Sequence, residues 1–113
     1  MNPTAAQSLA DAHALLDALD GVAVEIAGEP IPEGLTSLVT LDFVVATDAA
    51  NFEDGEATEI QVNAFRDTLS GAVALAETVE DTLKPGGFRR RQKRRTPSNE
   101  GDQLTGITLT FTR

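Results

Sequence analysis

Arg89, Arg90, Arg91, Lys93, Arg94 and Arg95 are six of the nine basic residues of this 113-residue chain, and they fall within seven positions. Guanidinium and ammonium groups at that density bind anions, either nucleic-acid phosphates or protein carboxylates. The remainder of the chain is acidic. Residues 1–81 hold 16 Asp and Glu against Arg66 alone, a charge of −15, while residues 82–113 hold 8 Lys and Arg against Glu100 and Asp102, a charge of +6. Two targets fit such a split: DNA, or the acidic body of a neighbouring copy. Phe88 is the only aromatic residue bordering the run, so stacking of bases between the cations is not expected.

Other reactive groups are sparse. His13 is the single histidine and there is no cysteine. A Ser-His-Asp or Cys-His centre would have to be built on His13, and no nucleophile or orienting group is patterned to converge on it. Glu53, Asp54, Glu56 and Glu59 concentrate carboxylates around Gly55. A calcium loop of the EF-hand type needs oxygen ligands at alternate positions ahead of its glycine. Here those positions are Ala50, Phe52 and Asp54, so the pattern fails. The four acidic residues read instead as a solvated hairpin tip and as the acidic surface open to a partner. Gly86 and Gly87 follow a helix and stop it, and no phosphate-binding glycine loop follows any strand. Enzyme activity, a cofactor and a metal site are therefore not expected.

The length suits one domain, residues 1–113. Hydrophobic residues make up 41%, with five Phe and no Tyr or Trp, so the core must be built from Val, Leu, Ile and Ala. Without cysteine no disulfide framework exists, which fits a reducing compartment. No apolar run reaches the ~20 residues that span a bilayer. The first residues, Met1-Asn2-Pro3-Thr4, lack a signal-peptide pattern. The expectation is a protein made in the cytoplasm with no membrane partner.

The elements that must position the cations follow from periodicity. Residues 4–19 predict a helix with Ala5, Leu9, Ala12, Leu16 and Leu19 on one stripe. Thr4 and Gln7 have capping-box spacing, and Asp20-Gly21 closes the segment. Residues 22–26 predict a short strand, and the Pro- and Gly-rich residues 27–37 a loop. Residues 38–47 predict a strand with Val39, Leu41, Phe43 and Val45 facing the core. An acidic connection over 48–56 leads to a partner strand at 57–66, with Ile60, Val62 and Ala64 inward. Residues 69–83 predict a second helix, capped by Asp67 or Thr68, with Leu69, Ala72, Val73, Ala76, Val79 and Leu83 as its apolar stripe. Residues 88–95 have strand length but carry charge on both faces. Residues 104–112 alternate Ile107, Leu109 and Phe111 with Thr108, Thr110 and Thr112, a two-period strand. The fold class expected is α+β, a small antiparallel or mixed sheet with two helices on one face. The basic run would sit on a hairpin arm at about 87–103.

The second half of the chain resembles the tail-terminator, or tail-completion, proteins of long-tailed bacteriophages. ATEIQVNAFRDT over residues 57–68 looks like that family's central strand entering its long helix. GFRR over 87–90 looks like the start of its next strand, and GITLTFT over 106–112 like its closing strand. The resemblance implies a ring-forming subunit, a hexamer, at the head-proximal end of the tail tube. Such a ring stops tube polymerisation, meets the head–tail connector or neck proteins, and lets DNA pass transiently through its lumen. It implies a virion location, with the host cytoplasm as the place of assembly. It carries over no catalytic residue.

Charge arrangement alone gives a compatible geometry. A cationic arm on one copy and an acidic face on the next form a heterologous contact, which closes a ring when repeated with rotation. A head–tail neck or connector subunit remains the nearest alternative. A DNA-binding module using residues 89–95 is the alternative from another class.

Overall fold

The computed structural model describes residues 5–26, 34, 36–46, 57–96 and 104–113. Its elements are α1 (Ala5–Asp17), β1 (Ala23–Ile26), β2 (Ser37–Ala46), β3 (Ala57–Arg66), α2 (Leu69–Leu83), β4 (Arg89–Arg95) and β5 (Thr105–Thr112). The five strands form one sheet in the order β1-β2-β3-β5-β4. β2, β3, β5 and β4 pair antiparallel, and β1 joins β2 in parallel. The α+β class expected from the sequence is the class observed. The parallel β1–β2 pair makes the sheet mixed. Residues 27–36 separate those two strands, more than the two-residue turn that joins antiparallel neighbours.

One apolar cluster joins both helices to one face of the sheet. It holds Ala12 and Leu16 of α1 and Ala72, Leu75, Ala76, Val79 and Leu83 of α2. From the sheet come Val24, Val39, Leu41, Ile60, Val62, Ala64, Ile107, Leu109 and Phe111. Strict alternation in β3 and β5 produces this face, because Ile60 pairs with Phe111, Val62 with Leu109 and Ala64 with Ile107. The core is mostly aliphatic, with Phe88 and Phe111 its buried rings among the described residues.

Helix boundaries follow local chemistry. Thr68 has an extended backbone, and its hydroxyl accepts from the Gly71 N–H at 3.0 Å, the N-cap bond of α2. After Leu83 a single 3-10 turn, Lys84–Gly86, ends on Gly87 in the left-handed conformation at φ 86°. Only glycine enters that region without strain, which is why the helix stops there. α1 ends at Asp17 rather than at 19. The Leu19 N–H then reaches the Leu16 carbonyl at 2.9 Å, and Leu19 still packs against the core.

The α2 stripe is rotated from its expected position. Leu75 is buried, Val73 is only partly covered, and Leu69 is 43% exposed. At about 100° per residue, the buried arc centres on the line from Ala72 through Val79. Leu75 flanks that line on one side, while Leu69 and Val73 lie on the other. The expected Thr4–Gln7 cap, the acidic connection at 48–56 and the turn at 97–103 lie outside the described residues, as do the side chains of Phe43 and Val45.

Candidate protein- or anion-binding edge

β4 occupies an edge of the sheet, and all seven of its residues are exposed. Six cations in seven positions repel one another, so an ordered strand here needs a reason. Its one neighbour, β5, reads TGITLTFT and carries no charge. The cross-strand partners are Thr112, Phe111, Thr110, Leu109, Thr108 and Ile107, so no like-charged pair stands directly opposite. Charged residues on an edge also prevent sheet-to-sheet pairing between identical edges. Two copies meeting β4 to β4 would bring their cations together.

A β-bulge between Arg90 and Gln92 breaks the register. Unbroken alternation would put Arg89, Arg91, Lys93 and Arg95 on one face. The bulge redistributes them. Arg90, Lys93 and Arg95 stand opposite Phe111, Leu109 and Ile107, on the helix side. Arg89, Gln92 and Arg94 stand opposite Thr112, Thr110 and Thr108, on the open side. Arg91 joins that open side. It lines a depression of about 190 Å³ with Gln92 and Arg94 from β4, Thr110 from β5, and Glu59 and Gln61 from β3.

Of the six cations, Arg90 is the one with an ion-pair partner among the described residues. Its Nε donates to Glu80 Oε1 of α2 at 2.7 Å, tying the edge strand to the helix. The other basic residues are engaged elsewhere. Arg113 Nη2 donates to Asp11 Oδ2 at 2.7 Å, joining the residue after β5 to α1, and Arg113 Cζ lies 4.7 Å from the Phe88 ring centroid. Arg66 Nε donates to the Ser37 hydroxyl at 2.8 Å, and Lys84 stands 3.6 Å from Asp81. Among the described residues, Arg89, Arg91, Lys93, Arg94 and Arg95 make no ion pair.

Glu59, assigned from the sequence to an acidic surface, thus stands beside Arg91 and Arg94 on one face of one chain. Glu53, Asp54 and Glu56 lie outside the described residues. His13 is half-buried on α1. No cluster of metal-ligating residues occurs among the described residues, and no helix there is long and apolar enough to cross a membrane.

The open face also carries a row of hydrogen bonds that the sequence reading missed. Asn63 Nδ2 donates to Thr40 Oγ1 at 3.1 Å, and Thr108 Oγ1 donates to Asn63 Oδ1 at 2.7 Å. Thr108 and Thr96 hydroxyls are 2.7 Å apart. The row crosses three strands, β2, β3 and β5, and ends on Thr96, the residue following β4. Thr108 is 2% exposed although neither described helix covers this face. The alternation of β3 and β5 did place Asn63 and Thr108 away from the core. Their alignment with Thr40 and Thr96 depends on strand order, which no local pattern encodes. A scan against protein-family models and a search of curated proteins each find no match to this chain.

Proposed function

We propose that this chain is a structural assembly subunit of the tail-terminator type. It forms a ring, a hexamer by the resemblance, that caps the tail tube, ends its polymerisation and joins the tail to the head connector. The observation that carries this reading is an exposed cationic edge, five of its six cations without an ion pair among the described residues, on a chain of net charge −9. Such an edge is complementary to the acidic remainder of another copy and repels its own kind, which favours a head-to-tail contact over a two-fold one. Glu53, Asp54, Glu56 and Glu59 are the acidic groups assigned to the receiving side. The mixed sheet with both helices on one face supports the reading, since the resemblance calls for a small α+β subunit.

Electron microscopy of the purified protein, alone and mixed with tail tubes, tests the proposal. Six-fold rings at tube ends are expected. Binding to filled heads rather than to tubes would instead favour a neck or connector subunit. A protein that stays monomeric at high concentration in both low and high salt would overturn ring formation by charge pairing.

The cations without an ion pair among the described residues also favour a second reading, direct DNA contact. That reading expects a gel shift that weakens steeply with salt, by about 0.9 log units in affinity per log unit of salt for each phosphate neutralised. Arg91→Glu/Arg94→Glu should abolish the shift. Absence of any shift at low salt removes this reading.

A further inference from the structure

We propose that the depression at the β4 bulge is a carboxylate-binding site that takes a Glu or Asp side chain from an acidic segment of a partner protein. The bulge leads the argument. It leaves a residue unpaired in the ladder, and such irregularities commonly re-aim a side chain. Here it brings Arg91 and Gln92, neighbours in sequence, to the same depression as Arg94. Regular alternation would have separated them. The site thereby gains two guanidinium groups and an amide side by side, with Gln61 and Thr110 forming its floor across β3 and β5. Guanidinium groups match carboxylates by paired, charge-assisted hydrogen bonds.

Two features select among anions. The volume, about 190 Å³, is below the ~300–1,000 Å³ of small-molecule sites, so it suits one side chain rather than a nucleotide. Glu59 stands in the same lining and makes no ion pair among the described residues. A strand of consecutive phosphates laid along β4 would meet that carboxylate and be repelled. A protein segment can offer one carboxylate to Arg91 and Arg94 while turning a neutral or basic residue towards Glu59. Arg90, on the other face and already paired with Glu80, takes no part.

The inference rests on reading β4 as a protein contact, but it can fail separately from ring assembly. Binding of a blocked peptide alternating glutamate with serine, and of an oligothymidylate, to the full chain would be measured by titration, with arginine side-chain NMR signals recorded alongside. Arg91→Gln/Arg94→Gln would be compared with Lys93→Gln/Arg95→Gln, which removes equal charge from the helix side of the same strand. The site predicts that the first pair weakens peptide binding about tenfold or more and the second less than about threefold. It predicts selective movement of the Arg91 and Arg94 signals with peptide. Equal weakening by both pairs would overturn it, as would tighter binding of the oligothymidylate than of the peptide through Arg91 and Arg94. Sedimentation of the same variants reads assembly independently. If the unsubstituted chain forms rings but binds no peptide, this inference alone falls, and a bound peptide without rings removes only the ring.

Discussion

The two faces of this sheet are built from the same strands yet are held by different forces. On the helix side, Val62, Leu109 and Phe111 pack against α2 with essentially no exposure, and their stabilisation scales with apolar area removed from water. On the open side, Asn63 and Thr108 are held by directional hydrogen bonds, Thr108 to Asn63 at 2.7 Å. The contrast teaches that burial and hydrophobicity are separable in a small sheet. Thr108 is as buried as the core leucines, but its place is secured by partners that must all be present. The apolar face makes the domain stable. The open face fixes alignment across strands and leaves β4 exposed.

Substitutions can break this contrast, and the largest effect belongs to the helix side. Leu109→Ala leaves a cavity against α2 and should lower unfolding free energy by about 2–5 kcal/mol in urea denaturation. On the open side, Asn63→Ala strips partners from Thr40 and Thr108 together and should cost about 1–3 kcal/mol. Thr110→Ala, one register step away on the same face, should stay within about 0.5 kcal/mol. If Asn63→Ala is as mild as Thr110→Ala, the hydrogen-bonded row contributes no specific stability.

Thr68→Ala removes the N-cap of the helix that covers the apolar face, and a loss of about 1 kcal/mol is expected. Thermal unfolding should show it without change in oligomeric state. A small effect is also expected at the edge. Glu80→Gln breaks the pair with Arg90, whose side chain is 41% exposed. Solvent screening should hold the cost below about 1 kcal/mol and make it shrink further in high salt. A large, salt-insensitive loss would mean that β4 is anchored by this pair rather than by its ladder with β5.

Much of the helix-side architecture was legible in the chain. Ile60, Val62 and Ala64 alternate with polar residues, as do Ile107, Leu109 and Phe111, and each set faces the core as alternation requires. The α2 stripe was readable apart from its rotation towards Leu75. The cationic run was equally plain as a charge pattern, but its division between two faces was not. That division depends on a bulge opposite Phe111 and Thr110, and a bulge is set by how a strand fits its neighbour.

The sequence by itself determined the α+β class, the inward faces of β3 and β5, a start for α2 at Asp67 or Thr68 and a stop at Gly86-Gly87, and the opposition of a cationic stretch to an acidic body. These depend on residue spacing within a few turns or strand positions, where the physics is local. Only the tertiary structure decided that β5 lies between β3 and β4, that β1 joins in parallel, and that Thr40, Asn63, Thr108 and Thr96 align in one row. The same long-range pairing brought Glu59 beside Arg91 and Arg94. Such placements depend on which distant segments share a ladder, and packing of the whole chain around one core settles that choice.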